Sequence, residues 1–574
     1  MILFCGEVLL RKDFFGMFRW MMQHPLSFVM NWMILFSLLV FTCALFNRLG
    51  TGVLIIGCVY ITLCVISFYK FNISGEYLTP ADLVLAGEAA SISKEMNIEI
   101  ERHVVIGVLL SIASMLAAYK WDIFRIGKKY RILCSIIFGT LFFTTAVIGA
   151  KVSPSGEEMQ VQSQSITVNE QYNENGFIVG FTQEIVEMII ERPEGYSEGK
   201  VERLLAPFKS EGANETFVKP NIIMIMSESL FDITRLENVD LSENPLAHFK
   251  DYQQKYAGGN IVTEVYGGRT AQTEYEVLTG HSVHFTDPQN IAYMKLVDQD
   301  TPSIPKLLKE EGYKTVALHG YEKNFFSRNV AYEDLGIDTF IASEDIENPD
   351  LARGYISDDA LVDEIIKLYE AKGNEPLFYH VVTMQNHMPY TDTYTANNIT
   401  ASGEALSSTQ ANMITTYANG VKDSDKALER LVQYFSKQDE PTVIVMYGDH
   451  LPALGDQYDI YKQLNYIEGD FDKEDCYNLY QTPFVIWNNY NLPPKDFGTL
   501  DASYLGSQIL HYIGYNKDPY MNYLIDAAQV LRAYGEYFEI DHEGVVKQRD
   551  ELLDKEVKTL EELWILQYNR LGLN

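Results

Sequence analysis

Two apolar runs in this chain end on groups that can do chemistry. Asn221 to Ser229 reads NIIMIMSES and delivers Glu228 just past its run, and Thr442 to Pro452 reads TVIVMYGDHLP, with Asp449 and His450 in the same position. Taken singly, Glu228 also reads as a helix cap or a surface charge, and Gly448-Asp449-His450 as an Asx turn beside a surface histidine. Between them lies Tyr266-Gly267-Gly268-Arg269-Thr270-Ala271-Gln272-Thr273-Glu274. Two glycines ahead of hydroxyl residues suit the presentation of a hydroxyl at a helix N-terminus, where free N–H groups favour a phosphate; a Gly-Gly turn with a capping threonine is the bland alternative. No Gly-Lys-Ser/Thr follows, so this is not the phosphate loop of nucleotide hydrolases. His319, Arg328 and His387 follow further apolar runs, and such residues donate to phosphate, clamp its oxygens or protonate a leaving group. Glu228, Asp449, His450 and a hydroxyl together offer three oxygens and one nitrogen, a set that suits Mn²⁺, Mg²⁺ or Zn²⁺ and points to covalent phosphoryl transfer.

The elements that must position these groups are legible as short continuous apolar runs alternating with longer helical patterns. Ile222 to Met226, Thr315 to Leu318, Leu377 to Val382, Thr442 to Met446 and Phe484 to Ile486 are predicted strands buried on both faces, hence a largely parallel α/β sheet over residues 220–574. Ligands of such sheets bind beyond the carboxyl ends of the strands, where the chemical groups fall. Residues 151–219 read as a polar connector with one amphipathic stretch, Phe177 to Ile190. No internal repeat is present, which excludes solenoids and propellers.

Residues 1–150 are predicted to be a membrane domain of four to five helices. Ser27 to Phe46 and Gly50 to Tyr69 are each uncharged and long enough to cross a bilayer, His103 to Tyr119 is shorter, and Ile132 to Ala150 is again long. The segment Lys120 to Arg131 is basic and belongs in the cytoplasm, which puts the acidic loop 70–102 and everything beyond about residue 150 outside the cell. Four spans would leave Arg11, Lys12 and Arg19 outside, so a fifth membrane-embedded or interfacial element is expected in residues 1–24, carried by Phe14, Phe15, Met17, Phe18, Trp20 and Met21. No cleavable signal peptide is evident.

Charge and cysteine use narrow the function. Of 574 residues, the first 150 carry 12 Lys+Arg against 9 Asp+Glu, and the remainder 33 against 69. So acidic an outer part argues against nucleic-acid binding, which needs a basic face. Five of six cysteines lie in the membrane part, leaving Cys476 alone, so disulfide frameworks and thiolate zinc sites are disfavoured.

In order along the chain, PNIIMIMSES, GGRTAQTE, ALHGYEKNFFSR, TMQNHMPY and MYGDHLP resemble the lipoteichoic acid synthase family, sulfatase-fold membrane phosphoglycerol transferases of the alkaline phosphatase superfamily. Pro80 to Leu83, Pro193 to Leu204 and Gly354 to Glu364 extend the likeness over most of the chain. The resemblance implies Thr270 as the nucleophile and Glu228, Thr270, Asp449 and His450 as ligands of a divalent ion, commonly Mn²⁺. It implies His319, Arg328 and His387 as glycerophosphate-binding residues, with Phe326 where well-known members carry a tryptophan. Thr273 is the alternative nucleophile if the loop register differs. The implied reaction moves glycerol phosphate from phosphatidylglycerol to a glycerol-phosphate polymer or other glycan or glycolipid acceptor, at the outer face of the cell membrane, and five spans are typical. A sulfatase would need a Cys/Ser-x-Pro-x-Arg context, which is missing. Phosphoethanolamine transferases usually carry several disulfides in the exported domain, against the lone Cys476. A catalytically inactive membrane-anchored binding protein would have lost the nucleophile or a ligand, and none is lost.

Overall fold

The structure is a computed structural model that describes residues 2–74, 77–84, 101–120, 125–151, 168–187, 190–209, 217–286, 291–390, 399–455 and 458–573. Much of the predicted connector (152–167, 188–189 and 210–216), the middle of the acidic loop and residues 121–124 of the basic segment lie outside the described residues. The chain forms two compact units, Met1–Ile189 and Ile190–Asn574.

In the first unit, four helices among the described residues are long and apolar enough to cross a membrane: α3 (Pro25–Phe46), α4 (Leu49–Ser74), α5 (Arg102–Lys120) and α6 (Lys128–Lys151). Leu109, Ile136 and Phe143 are among the large apolar side chains left exposed on this bundle, as expected where lipid replaces water as the solvent. The N-terminal element is two short helices, α1 (Ile2–Arg11) and α2 (Phe14–Gln23). α1 lies along α4, with Ile2 beside Gly57 and Lys12 Nζ 2.6 Å from Asn72 Oδ1. Part of the expected connector folds onto this unit as α7 (Val168–Asn175) and α8 (Phe177–Glu187), which Glu7 and Asn31 hold by accepting from Phe177 N (2.8 Å) and Ile178 N (2.9 Å). In the Pro-Ala-Asp-Leu run, Asp82 accepts from Lys70 Nζ (2.6 Å) and Thr79 N (2.7 Å), so its role there is to close the local turn.

The second unit opens with α9 (Glu198–Leu205), capped by Ser197; just before it, Tyr196 OH donates to Asn569 Oδ1 at 2.9 Å. Its centre is an eight-stranded sheet made of β1 (Asn221–Ser227), β2 (Ala257–Val262), β3 (Lys314–His319), β4 (Thr339–Ile341), β5 (Leu377–Val382), β6 (Thr442–Gly448), β7 (Gln481–Asn488) and β8 (Lys495–Asp501). The spatial order is β8-β2-β7-β6-β1-β5-β3-β4. All neighbours pair in parallel except β7, which runs against both β6 and β2. Every residue of β1, β5, β6 and β7 is buried, which is why these strands read as unbroken apolar runs. Leu361 and Ile365 of α12 (Asp358–Ala371) and Leu428 and Leu431 of α13 (Ser408–Phe435) share one core with Ile225, Val381 and Met446 of the sheet. Burying each such side chain contributes about 2 kcal/mol. α10 (Thr270–Thr279) carries Thr270 and α11 (Arg328–Asp334) carries Arg328. Beside β8, a three-stranded sheet of β9 (Leu531–Tyr534), β10 (Glu539–Asp541) and β11 (Val546–Lys547) and the helix α14 (Asp554–Arg570) complete the unit.

Candidate active site

Strand register brings the first groups together. Ser227 of β1 pairs with Gly448 of β6, so Glu228 and Asp449 leave adjacent parallel strands side by side. Gly448 is required by packing there: a Cβ would fall 2.7 Å from the Leu230 carbonyl oxygen and 2.8 Å from Thr482 Cβ. Val382 of β5 pairs with both Met226 and His319, so His319 emerges from the same edge two strands away.

Glu228, Asp449 and His450 form one buried cluster, with one ligand atom of each within 4.8 Å of the others. Asp449 Oδ1 accepts from the backbone N–H groups of Ser229 (2.7 Å) and His450 (2.9 Å), which fixes the carboxylate and leaves Oδ2 without a hydrogen-bond partner. His450 Nδ1 donates to the Leu451 carbonyl at 2.9 Å, so Nε2 carries the lone pair; it too has no hydrogen-bond partner and lies 3.1 Å from Asp449 Oδ2 and 3.8 Å from Glu228 Oε1. Glu228 accepts from Ser229 Oγ at 2.9 Å, and its own N–H donates to Thr383 Oγ1 at 3.1 Å. Burial, reinforced by the Asp449 charge, raises Glu228 to about 8. Orphaned buried polar atoms are rare, and two acceptors facing one another with a third beside them fit a divalent cation that takes oxygen and imidazole ligands.

Thr270 is the first residue of α10, preceded by Arg269 in the left-handed conformation (φ 64°). The loop is tied to the ligand segment on both sides of Thr270: Gly267 N donates to Leu451 O at 3.1 Å, and Thr273 Oγ1 donates to Asp449 O at 2.8 Å. Thr273 is fully buried and spends its proton on that bond, so of the two hydroxyls Thr270, 8% exposed at the helix start, is the one presented.

The next turn of α10 carries a group that sequence reasoning did not single out. Glu274 is fully buried and is the hub of a hydrogen-bonded network. Its Oε2 accepts from Arg328 Nε (3.0 Å) and Nη2 (2.8 Å), and its Oε1 from His380 Nε2 (3.0 Å) and the Tyr332 hydroxyl. Arg328 Nη1 reaches His319 Nε2 and the Phe325 carbonyl, each at 3.3 Å, while His319 Nδ1 donates to Val382 O at 3.3 Å. Burial opposes the Glu274 charge, yet Arg328 and His380 outweigh it and hold the carboxyl well below its ordinary range. Burial and the Arg328 charge push His319 down to about 3, so the ring is neutral with Nε2 as an acceptor. His319 and Arg328 are thus brought together, 1% and 0% exposed and bonded to each other.

Phe326 is buried with its ring centroid 5.3 Å from the Arg328 guanidinium carbon. Phe326 and Ser327 are both left-handed at φ 56°, as is Ser229 at φ 54° just after Glu228. With Arg269, four non-glycine residues in a sparsely populated region sit beside the predicted site residues, a pattern that persists only where surrounding contacts enforce it. His387 is half-buried; its Nδ1 donates to Met388 O at 2.7 Å and its ring packs on Tyr355 at 5.9 Å between centroids. Arg353 secures that segment by donating to the carbonyls of Gln385, His387 and Pro389.

Comparison with known proteins assigns the family and the fold. Residues 220–515 match the sulfatase family. The chain is 32% identical over 382 residues to the "Putative cyclic beta-1,2-glucan modification protein" of Rhizobium meliloti (strain 1021), covering 65% of this chain and 58% of that protein. It is 27% identical over 320 residues to a lipoteichoic acid synthase of Staphylococcus saprophyticus, covering 53% of this chain and 46% of that one, so the matches span about half the length of these relatives. Among solved structures, the Streptococcus pyogenes phosphoglycerol transferase GacH in complex with sn-glycerol-1-phosphate superposes with a TM-score of 0.56 at 22% identity, over 66% of this chain and 95% of that one.

Proposed function

Because the chain belongs to the sulfatase family, we propose that it is a metal-dependent transferase that moves glycerol phosphate from phosphatidylglycerol to a glycerol-phosphate polymer or another cell-surface glycan, on the outer face of the membrane that its first unit spans. The observation that carries this reading is the presented Thr270 hydroxyl at a helix N-terminus, tied on both sides to the segment bearing Asp449 and His450. The likeness to lipoteichoic acid synthase, and to the GacH fold solved with sn-glycerol-1-phosphate, supports the choice of head group. The likeness to the glucan-modification protein favours a glycan acceptor.

Glu228, Asp449, His450 and Thr270 would hold the divalent ion, with Mn²⁺ preferred and Mg²⁺ or Zn²⁺ compatible. When bound, the ion supplies charge that eases loss of the Thr270 proton and offsets the phosphoryl charge. Thr270 Oγ then forms a bond to phosphorus while the bond from phosphorus to the diacylglycerol oxygen breaks, and the departing alkoxide takes up a proton. An acceptor hydroxyl reverses the step, giving up its proton as it attacks the phosphothreonine and frees Thr270. His387, its ring held by the bond from Nδ1 to Met388 O, would serve these proton exchanges. Arg328, its charge fixed by Glu274, with His319 and Phe326, forms the floor against which the glycerophosphate rests.

The test is intact-mass analysis of the full chain in detergent after incubation with phosphatidylglycerol and Mn²⁺, comparing wild type with Thr270→Ala. A glycerophosphoryl adduct that disappears with the substitution and with a chelator is the expected result. An adduct formed only from phosphatidylethanolamine would reassign the chain to phosphoethanolamine transfer.

A further inference from the structure

Two buried carboxylates, Glu228 and Asp449, must stand side by side for one ion to meet both, although like charges repel. Ser229 bonds to each of them. Its N–H donates to Asp449 Oδ1 at 2.7 Å and its Oγ to Glu228 Oε1 at 2.9 Å. It does so from a left-handed backbone (φ 54°), a region that residues other than glycine keep only where their surroundings enforce it. Glycine would relieve the backbone there but would supply no hydroxyl to Glu228.

A contact that holds this conformation comes from 188 residues away. Tyr417, fully buried on α13, sets its hydroxyl against the turn that follows Glu228. The hydroxyl donates to Ser229 O at 2.7 Å and accepts from Phe231 N at 2.9 Å, with Phe231 O further off at 3.3 Å. Leu230 N, between them, closes the turn by donating to Ser227 O at 3.3 Å. Leu230 and Phe231 are 1% and 0% exposed, so the backbone groups that the hydroxyl serves lie among buried side chains, where an unpaired N–H or C=O is costly. The Tyr417 ring is itself fixed, edge-on to Tyr390 with 5.3 Å between centroids. Among the described residues the hydroxyl bonds only to this turn, so Tyr417 can reach Glu228 and Asp449 only through it.

We propose that Ser229 and Tyr417 are positioning residues for the divalent ion: the Tyr417 hydroxyl holds the turn in which Ser229 is left-handed, and from that turn Ser229 fixes the Glu228 and Asp449 carboxylates relative to one another. Groups that orient the ligands of a metal commonly change its affinity 10- to 100-fold when removed. The inference rests on the reading of Glu228, Asp449 and His450 as ion ligands. It adds that the ion's affinity is set in part by α13, an element that supplies none of those ligands.

The experiment uses the full chain in detergent, stripped with EDTA and titrated with MnCl₂, with free Mn²⁺ followed by its electron paramagnetic resonance signal. Wild type, Asp449→Asn, Ser229→Ala, Tyr417→Phe and the double variant Ser229→Ala/Tyr417→Phe are compared, and the unfolding temperature of each chelated chain is recorded. Tight binding by wild type that Asp449→Asn abolishes is expected, with Kd raised about 10-fold or more by Ser229→Ala and by Tyr417→Phe. The double variant should raise Kd by less than the product of the two single effects, because both act through one turn. A Tyr417→Phe chain whose unfolding temperature falls while its Kd stays at the wild-type value has lost a core contact alone and overturns the proposal, as does a Ser229→Ala chain of wild-type Kd, which decides the matter if Tyr417→Phe does not fold. Wild-type binding that survives Asp449→Asn would instead remove the ligand reading, and this inference with it.

Discussion

The two polar regions at the carboxyl edge of the sheet solve opposite problems. At the ends of β1 and β6, Asp449 Oδ2 and His450 Nε2 are buried with no hydrogen-bond partner, whereas around Glu274 four donated hydrogen bonds satisfy one carboxylate. The first region is incomplete as protein and calls for an ion. The second is complete without any ligand, so its charges cost nothing more to keep in place once the chain has folded. What the contrast teaches is a division of labour: reactivity sits where satisfaction is withheld, and rigidity sits one helical turn away on the same helix, α10.

That contrast can be broken from either side. Thr270→Ala should lower transfer at least about 10⁴-fold while leaving Tm nearly unchanged, since Thr270 is presented rather than bonded into the core. Glu274→Gln should act on folding instead. It removes the anion from a buried Arg328 and should destabilise by about 3 to 5 kcal/mol, read as a fall in the denaturation midpoint of the full chain in detergent. If the loss were confined to turnover, the network would be part of the chemistry rather than its support.

pH separates the two regions by sign. Glu228 is raised, so relative to the unfolded chain its contribution is fully present below its ordinary value and is lost as pH rises towards about 8. Chelated protein should therefore lose about 3 to 4 kcal/mol between pH 5 and 8, and saturating Mn²⁺ should flatten that slope, because the ion keeps Glu228 ionised throughout. Glu274 is lowered, so its contribution is present above its ordinary value and is lost only as pH falls through its depressed one, leaving it silent over the same window. The smallest effect is expected at Ser327, left-handed at φ 56°. Ser327→Gly should stabilise by about 0.5 to 1 kcal/mol by thermal unfolding.

The sequence was most readable where burial is symmetric. β1, β3, β5, β6 and β7 show as apolar runs, and the groups just beyond β1 and β6 are the ones that cluster. Such a run carries no direction, which is why β7 reads like its neighbours yet lies antiparallel. β2 was missed because Ala257-Gly258-Gly259-Asn260 breaks the apolar pattern. Glycine is needed there since a Cβ on Gly259 would fall 2.2 Å from the Gly498 carbonyl of β8. β8, KDFGTLD, is partly exposed and polar, and β4 has three residues. Glu274 escaped notice because its partner Arg328 lies 54 residues away, a spacing that becomes a contact only when α11 meets α10. In the N-terminal unit, apolar length revealed the four long helices, while the embedding of α1 depends on contacts with α4 that no local pattern encodes.

The central claim, that Glu228 and the orphaned atoms of Asp449 and His450 are reserved for a catalytic ion beside Thr270, is tested most directly by anomalous diffraction at the manganese edge from crystals of the full chain grown with Mn²⁺. A peak among those three side chains and Thr270, absent in Asp449→Asn, is the expected result. A chain that is active with Mn²⁺ but shows no anomalous peak at that position would contradict it.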